Sequence, residues 1–213
     1  MLFRSDHVDR FWVSDNNDAL ERQHIQRWTA QFLPPELLGS HVGPTPSHQT
    51  GRQLDLSFRA ATALIGHAGI EWDITTLNEE QRRDLAQWIA YYKSKRGLIH
   101  TGDSIRVDYP DTSAHLYGVV SQDKSEALFI LAQLRPALRS QPATITFREL
   151  DPKKSYQISA VSPAGIPGMM LIKPPTWIES GAQVSGDALM KIGLPAPILR
   201  PESALIIEVK QFK

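Results

Sequence analysis

The sequence predicts an α/β region followed by an all-β region, and three features carry that expectation. Through about residue 97, short apolar runs alternate with stretches whose apolar residues recur every three to four positions. This is strand, helix, strand, helix, the repeating unit of a parallel α/β sheet or barrel. Beyond that point no long helical pattern occurs and short alternating segments take over. Proline and glycine punctuate them, notably in Ser162-Pro163-Ala164-Gly165-Ile166-Pro167-Gly168, so that short strands at this spacing predict an antiparallel β-sandwich. The boundary between the parts falls near residues 97 to 103.

Phe11-Trp12-Val13 is an apolar run suited to a buried strand. From Ala19 to Leu33, Leu20, Ile25, Trp28 and Phe32 recur at about four residues while Glu21, Arg22, Gln26 and Arg27 fill the other face, which predicts an amphipathic helix. Pro34-Pro35 ends it, since a proline disfavours a helical residue before it and has no N–H to donate. Leu37 to Val42 reads as a second strand, closed by the Gly43-Pro44-Thr45-Pro46 loop. Leu54, Phe58, Ala61 and Ile65 mark a second helix. A third starts after Asn78, an N-cap with Gln81 three residues on, and buries Leu85, Trp88, Ile89 and Tyr92. The strands expected in the second part are 104–109, 116–121, 127–134, 143–148, 156–161, 188–192 and 204–211. In Thr144-Ile145-Thr146-Phe147-Arg148 and Ile206-Ile207-Glu208-Val209-Lys210 the apolar residues alternate, as a sheet packed on one side requires.

Composition narrows the function classes. Basic and acidic side chains balance at 23 against 23 and are interspersed, so a nucleic-acid partner is not expected. No stretch approaches the roughly 18 apolar residues of a membrane span, and the charged start Met-Leu-Phe-Arg-Ser-Asp-His is not a signal peptide. A soluble, cytoplasmic protein without membrane contact is the expectation. There is no cysteine, hence no disulfide framework or thiolate metal site, and no histidine pair has helical metal-ligand spacing. Neither a metal nor a cofactor is predicted.

The segment Trp12-Val13-Ser14-Asp15-Asn16-Asn17-Asp18-Ala19-Leu20-Glu21-Arg22 sets acidic residues between a strand and a helix. In parallel α/β folds sites are built at this edge, where the loops after the strands converge. Asp18 is placed to cap the helix, with Glu21 as the reciprocal partner of a capping box. Asp15 comes one turn too early for that; local spacing leaves it either an Asx-turn at the strand end or a carboxyl free to face a pocket.

This segment resembles the Trp-Thr-Ser-Asp-Asn-Thr-Asp motif of family 36 α-galactosidases. Gly39-Ser40-His41-Val42 and Pro46-Ser47-His48-Gln49-Thr50-Gly51-Arg52 are similar to the family's Gly-x-His-Val and Pro-Asn-His-Gln-Thr-Gly-Arg elements, in the same order. The specific likeness covers about residues 10 to 95; the second part resembles the family's C-terminal β domain in layout. The resemblance implies that residues 1–100 are the last two β/α units of a (β/α)8 catalytic barrel and residues 101–213 a C-terminal antiparallel β-sandwich domain. It implies a retaining glycosidase acting on terminal α-linked galactose in oligosaccharides, with Asp15 as acid/base. In such enzymes the two carboxyl groups stand about 5 Å apart and the acid later serves as base toward water. Trp12 would either wall the sugar pocket or lie buried in its strand. His41 would either touch a sugar hydroxyl or make a structural hydrogen bond, while His48 and Arg52 order their loop.

The departures from the family pattern are also informative. The Lys-Trp-Asp-Met-Asn motif that carries the nucleophile and the Cys-Ser-Gly-Gly-Gly stretch do not occur, and Asn17 stands where the family has Thr. Arg4, Asp6, His7, Asp9 and Arg10 form an unusually charged lead-in. The expectation is a C-terminal fragment without its nucleophile, inactive alone. Its bare sheet edges would need a missing N-terminal portion or a partner chain, such as a second copy in a homo-oligomer. A raffinose-synthase-like transglycosylase and an enzyme selecting N-acetylgalactosamine share the fold. A different class stays open: a non-catalytic remnant that serves packing or binds carbohydrate on Tyr109, Tyr117 and Trp177.

Overall fold

The computed structural model describes residues 9–165, 167–170 and 173–212. Arg4, Asp6 and His7 of the charged lead-in and Ile166 of the proline-glycine turn lie outside them. The chain divides into two compact units, Met1–His100 and Thr101–Lys213.

The first unit runs β1 (Phe11–Trp12), α1 (Ala19–Thr29), β2 (Leu38–Val42), α2 (Leu56–Ala63), β3 (His67–Ile70) and α3 (Glu79–Thr101). The strands form one parallel sheet in the order β1-β2-β3. Trp12 is in register with Gly39, and His41 with Gly69. A pair of β/α units was the expectation; β3 makes a third. Its sequence, His-Ala-Gly-Ile, is too short and too weakly apolar to stand out as a strand, and it is held by pairing with β2 along its length.

Helix α1 buries the opposite face from the one its apolar pattern predicts. Ala19, Arg22 and Gln23 are buried, whereas Trp28 and Phe32 are exposed. Polar side chains on the buried face find partners on the neighbouring elements. Gln23 Nε2 donates to Thr62 Oγ1 at 2.8 Å and Gln26 Nε2 to Ser40 Oγ at 2.6 Å. A satisfied polar seam can be buried at little net cost, and a scale that counts only apolar residues misreads it. Helix α2 follows expectation, with Phe58, Ala61 and Leu64 buried. So does the start of α3: Asn78 N–H donates to Gln81 Oε1 (3.1 Å) and Gln81 N–H returns to Asn78 Oδ1 (2.9 Å), a complete capping box. The helix continues past Gly97 to Thr101, because a single glycine costs a helix only about 1 kcal/mol. No helix among the described residues is long and apolar enough to cross a membrane.

The second unit contains β4 (Asp103–Val107), β5 (Ala114–Val120), β6 (Glu126–Gln133), β7 (Ser155–Val161), α4 (Thr176–Ser180), β8 (Ala182–Ser185), α5 (Gly186–Lys191) and β9 (Ser203–Gln211). The strands make one six-stranded antiparallel sheet, β4-β5-β6-β9-β7-β8. Of the expected sandwich the structure shows this one sheet; among the described residues the layer of chain that packs on it carries the isolated bridges Ile145↔Leu194 and Met169↔Leu199 rather than a second ladder. Residues 143–148, predicted as a strand, contribute Ile145 and Phe147 to this layer. Phe147 packs edge-on against Phe129 of β6 with ring centroids 5.1 Å apart. Residues 188–192, also predicted as a strand, belong mostly to α5. Ser185 Oγ caps it by accepting from Ala188 N–H at 3.3 Å, and Asp187 pairs with Lys191 one turn on at 2.7 Å, local support that outweighs a short apolar run.

Phe129, Leu131, Ile158, Leu205, Ile207 and Val209 form the heart of the core beneath this layer. Phe129→Ala should therefore cost about 3–5 kcal/mol of stability. Urea unfolding followed by far-ultraviolet circular dichroism tests this, and a cost under about 1 kcal/mol would mean the Phe129–Phe147 contact is not close-packed.

Candidate active site

The ends of β1, β2 and β3 lie side by side, and the residues immediately after them meet. After β1 the chain turns twice on its own side chains: Ser14 Oγ accepts from Asn16 N–H at 3.1 Å, and Asn16 Oδ1 from Asp18 N–H at 3.0 Å. The second bond takes the place of the reciprocal Glu21 contact expected in a capping box. Asp18 is 1% exposed and caps α1 as predicted, Oδ1 accepting from Leu20 N–H (2.9 Å) and Glu21 N–H (3.3 Å). Its other oxygen accepts from the Thr50 hydroxyl and, at 2.5 Å, from Arg52 Nη1. Burial pushes this carboxyl's pKa up, but hydrogen bonds from Thr50, Arg52, Glu21 and Leu20 outweigh it and hold the group below its ordinary value.

Arg22 is buried beneath this turn, donating to the carbonyls of Ser14 (3.2 Å) and Gly39 (3.1 Å) and so tying the loop after β1 to β2. Gln49 Nε2 donates to the Asp15 carbonyl. Asp15 is thus held through its backbone while its carboxyl group emerges at the exposed rim. The Trp12 indole N–H donates to Asp15 Oδ1 at 2.6 Å. Trp12 itself is 56% exposed, not buried in its strand, and its ring lies 4.4 Å from that of His41 at an interplanar angle of 35°.

His41 faces a residue the sequence reading missed. Glu71, one position past β3, brings Oε2 to 3.5 Å from His41 Nδ1 and accepts from Asn17 Nδ2 at 2.5 Å. Its backbone N–H donates to the Val42 carbonyl at 3.0 Å. A signal existed: His67-Ala68-Gly69-Ile70-Glu71 repeats the pattern of a short run ending in an acid seen in Phe11 to Asp15. Gly69 is required where it stands, since a Cβ there would lie 2.5 Å from His41 Cδ2. Burial lowers the His41 pKa; Glu71 opposes this, and Arg22 and Arg10 add to it, with the net direction downward from 6.5. The imidazole is therefore neutral at neutral pH.

Trp12, Asp15 and His41 are brought together at the ends of β1 and β2. His48 lies exposed on the turn that Arg52 closes, where Ser47 N–H donates to the Arg52 carbonyl. Tyr109, Tyr117 and Trp177 form no shared platform. Trp177 is 4% exposed, buried in the core with its indole N–H on the Pro195 carbonyl at 2.8 Å, and Tyr109 packs against that core with its hydroxyl on the Ala143 carbonyl. Among the described residues no group of three His, Cys, Asp or Glu is arranged to hold a metal ion.

A carboxyl group with one oxygen fixed, beside an exposed indole face and a neutral imidazole at the ends of parallel strands, is suited to polyhydroxylated ligands and proton transfer. Proteins similar to this chain are of one class, the glycoside hydrolases. Residues 4–102 match the Melibiase family model and residues 114–207 the model of the glycosyl hydrolase family 36 C-terminal domain. The α-galactosidase of Escherichia coli is 39% identical over 207 residues, 95% of this chain and 29% of the relative. The bifunctional α-galactosidase/sucrose kinase AgaSK of Mediterraneibacter gnavus is 31% identical over 92% of this chain and 19% of its own length. A crystal structure of α-galactosidase AgaA from Geobacillus stearothermophilus, a variant in complex with raffinose, superimposes with a TM-score of 0.81 at 27% identity, covering 95% of this chain and 26% of that one. The chain belongs to glycoside hydrolase family 36, of which it is a C-terminal portion. It spans 19% to 29% of the length of these relatives.

Asp18→Asn should lower stability at pH 7 by about 2–3 kcal/mol, by weakening a cap and charged hydrogen bonds. The folded carboxyl stays ionised to lower pH than an unfolded one. Its contribution is therefore complete above about 3.8 and fades as pH falls through the depressed folded value. Urea midpoints for both proteins across pH 2.5 to 7 should accordingly converge at the acid end; a constant gap would mean the charge of Asp18 carries none of the effect.

Proposed function

We propose that this chain supplies the acid/base carboxyl of a retaining α-galactosidase that cleaves terminal α-linked galactose from oligosaccharides. In this reading residues 1–100 are the closing segment of a (β/α)8 catalytic barrel, and residues 101–213 are a C-terminal β-sandwich domain. The nucleophile lies outside this chain. The observation that carries the proposal is Asp15 at the end of β1, with its Oδ1 on the Trp12 indole and its backbone on Gln49. The raffinose and stachyose bound to AgaA variants in solved structures support the substrate class.

The chemistry follows from that geometry. With Oδ1 occupied by an N–H donor, Oδ2 is the oxygen left to carry a transferable proton. In the first step Asp15 gives this proton to the glycosidic oxygen as the bond to the anomeric carbon breaks and the nucleophile bonds to that carbon. In the second step the carboxylate takes a proton from water, whose oxygen displaces the nucleophile. The exposed face of Trp12 offers the C–H face of the sugar an apolar wall, and His41 offers a polar edge beside it.

The isolated chain should release no galactose from raffinose. A chimera that adds the preceding part of the Escherichia coli relative should do so, with Asp15→Ala lowering kcat by about 10²–10⁴-fold. Azide attacks without a base and should restore turnover of an activated aryl galactoside by the variant. An active chimera indifferent to Asp15→Ala would rule Asp15 out, and turnover by the isolated chain would overturn the assignment of the nucleophile elsewhere.

A further inference from the structure

We propose that Glu71 is a positioning residue: it fixes the His41 imidazole with its proton on Nδ1, leaving the Nε2 lone pair to accept a hydrogen bond from a sugar hydroxyl. The sugar half of this statement rests on the glycosidase reading above; the tautomer half rests on the cluster alone.

Three contacts constrain the ring independently. The stack on Trp12 sets its plane. Glycine at position 69 makes room for its Cδ2 and Nε2 edge, to which an added Cβ would stand at 2.5 and 3.0 Å. Glu71 Oε2 faces Nδ1 at 3.5 Å. His41 Nδ1 is buried and makes no hydrogen bond in this structure, the Glu71 contact being slightly too long for one. Such contacts in ligand-free sites commonly tighten when the ligand arrives. A neutral imidazole carries one proton. If that proton were on Nε2, the buried Nδ1 lone pair would point at the Glu71 carboxylate, and two acceptors would face each other. With the proton on Nδ1 the same contact becomes attractive. Glu71 is itself held, because Asn17 Nδ2 donates to the same Oε2 at 2.5 Å and the Glu71 backbone is tied to Val42. A fixed carboxylate selecting the tautomer of a histidine through its Nδ1–H is a recurrent device wherever the other ring nitrogen has work to do.

The charged groups facing His41 are Glu71 after β3, Arg22 of α1 and Arg10 before β1. Removing the Glu71 charge leaves the two cations and burial, all of which disfavour protonation. The experiment is nitrogen-15 long-range correlation spectroscopy on the labelled chain, with His41→Gln assigning its signal among the seven histidines. At pH 7 His41 should be in the Nδ1–H form, the tautomer that free histidine disfavours. Glu71→Gln should abolish that bias and lower the His41 pKa further, since the Glu71 charge is what opposes burial there. Asn17→Ala, which frees Glu71 without removing it, should weaken the bias and serves as the second variant if Glu71→Gln does not fold. An Nε2–H tautomer in the parent chain, or a bias untouched in whichever variant folds, would overturn the proposal. Galactose titration separates its halves: with the bias intact, a shifted His41 Nε2 signal supports the acceptor role. An unmoved signal in the active chimera would sink that role while leaving both the Glu71–His41 coupling and the acid role of Asp15 in place.

Discussion

The buried carboxylate of Asp18 is the contact on which the candidate site depends. One of its oxygens satisfies the first free N–H groups of α1, and the other takes the Thr50 hydroxyl and the Arg52 guanidinium from the loop after β2. A buried charge without such partners would be expensive. With them it fixes the start of a helix and the neighbouring loop in a single arrangement. The Gln49 side chain, from that same loop, holds the Asp15 carbonyl. The loop that Asp18 anchors is therefore the loop that sets where Asp15 stands.

A second line of contacts runs across the strand ends, from Asp15 through Trp12 and His41 to Glu71 and back to Asn17 beside Asp18. Each strand of the parallel sheet contributes: β1 gives Trp12, β2 gives His41, and β3 leads into Glu71. The register explains why these residues meet, since Trp12 pairs with Gly39 and His41 with Gly69, and the glycines leave the face clear for two rings to stack. Bulk is missing where the rings lie, and that absence is as specific as the rings themselves.

Much of this was legible in the sequence, where a local rule and the tertiary environment agreed. The Asn78–Gln81 cap, the strand expected over 37–42 and the capping role of Asp18 follow from short-range patterns, whereas the expected roles of Trp12, Asp15 and His41 rested on the family resemblance. The failures have a common cause. Helix α1 was read by its apolar stripe, but Arg22, Gln23 and Gln26 find partners on the sheet and on α2 that make a polar face worth burying. Residues 188–192 look like a strand until the Ser185 cap and the Asp187–Lys191 pair are counted. Strand β3 and with it Glu71 were missed because four residues of mixed character carry no period of their own; their structure comes from pairing with β2. Long-range hydrogen bonds decided each of these cases, and no single-sequence pattern encodes them.

Among the described residues the contacts that orient Asp15 come from residues 12 to 52, within one compact unit. The placement of Asp15 is thus set within this portion. A double displacement asks two things of its carboxyl groups: a separation of about 5 Å and opposite protonation states. Separation depends on the whole enclosure, but the identity of the protonatable oxygen is decided locally, by which oxygen the Trp12 N–H occupies. If Asp15 is the acid, as proposed, dividing the requirements in this way lets it be preorganised on one set of strand ends and leaves its distance from a nucleophile to the rest of the enclosure.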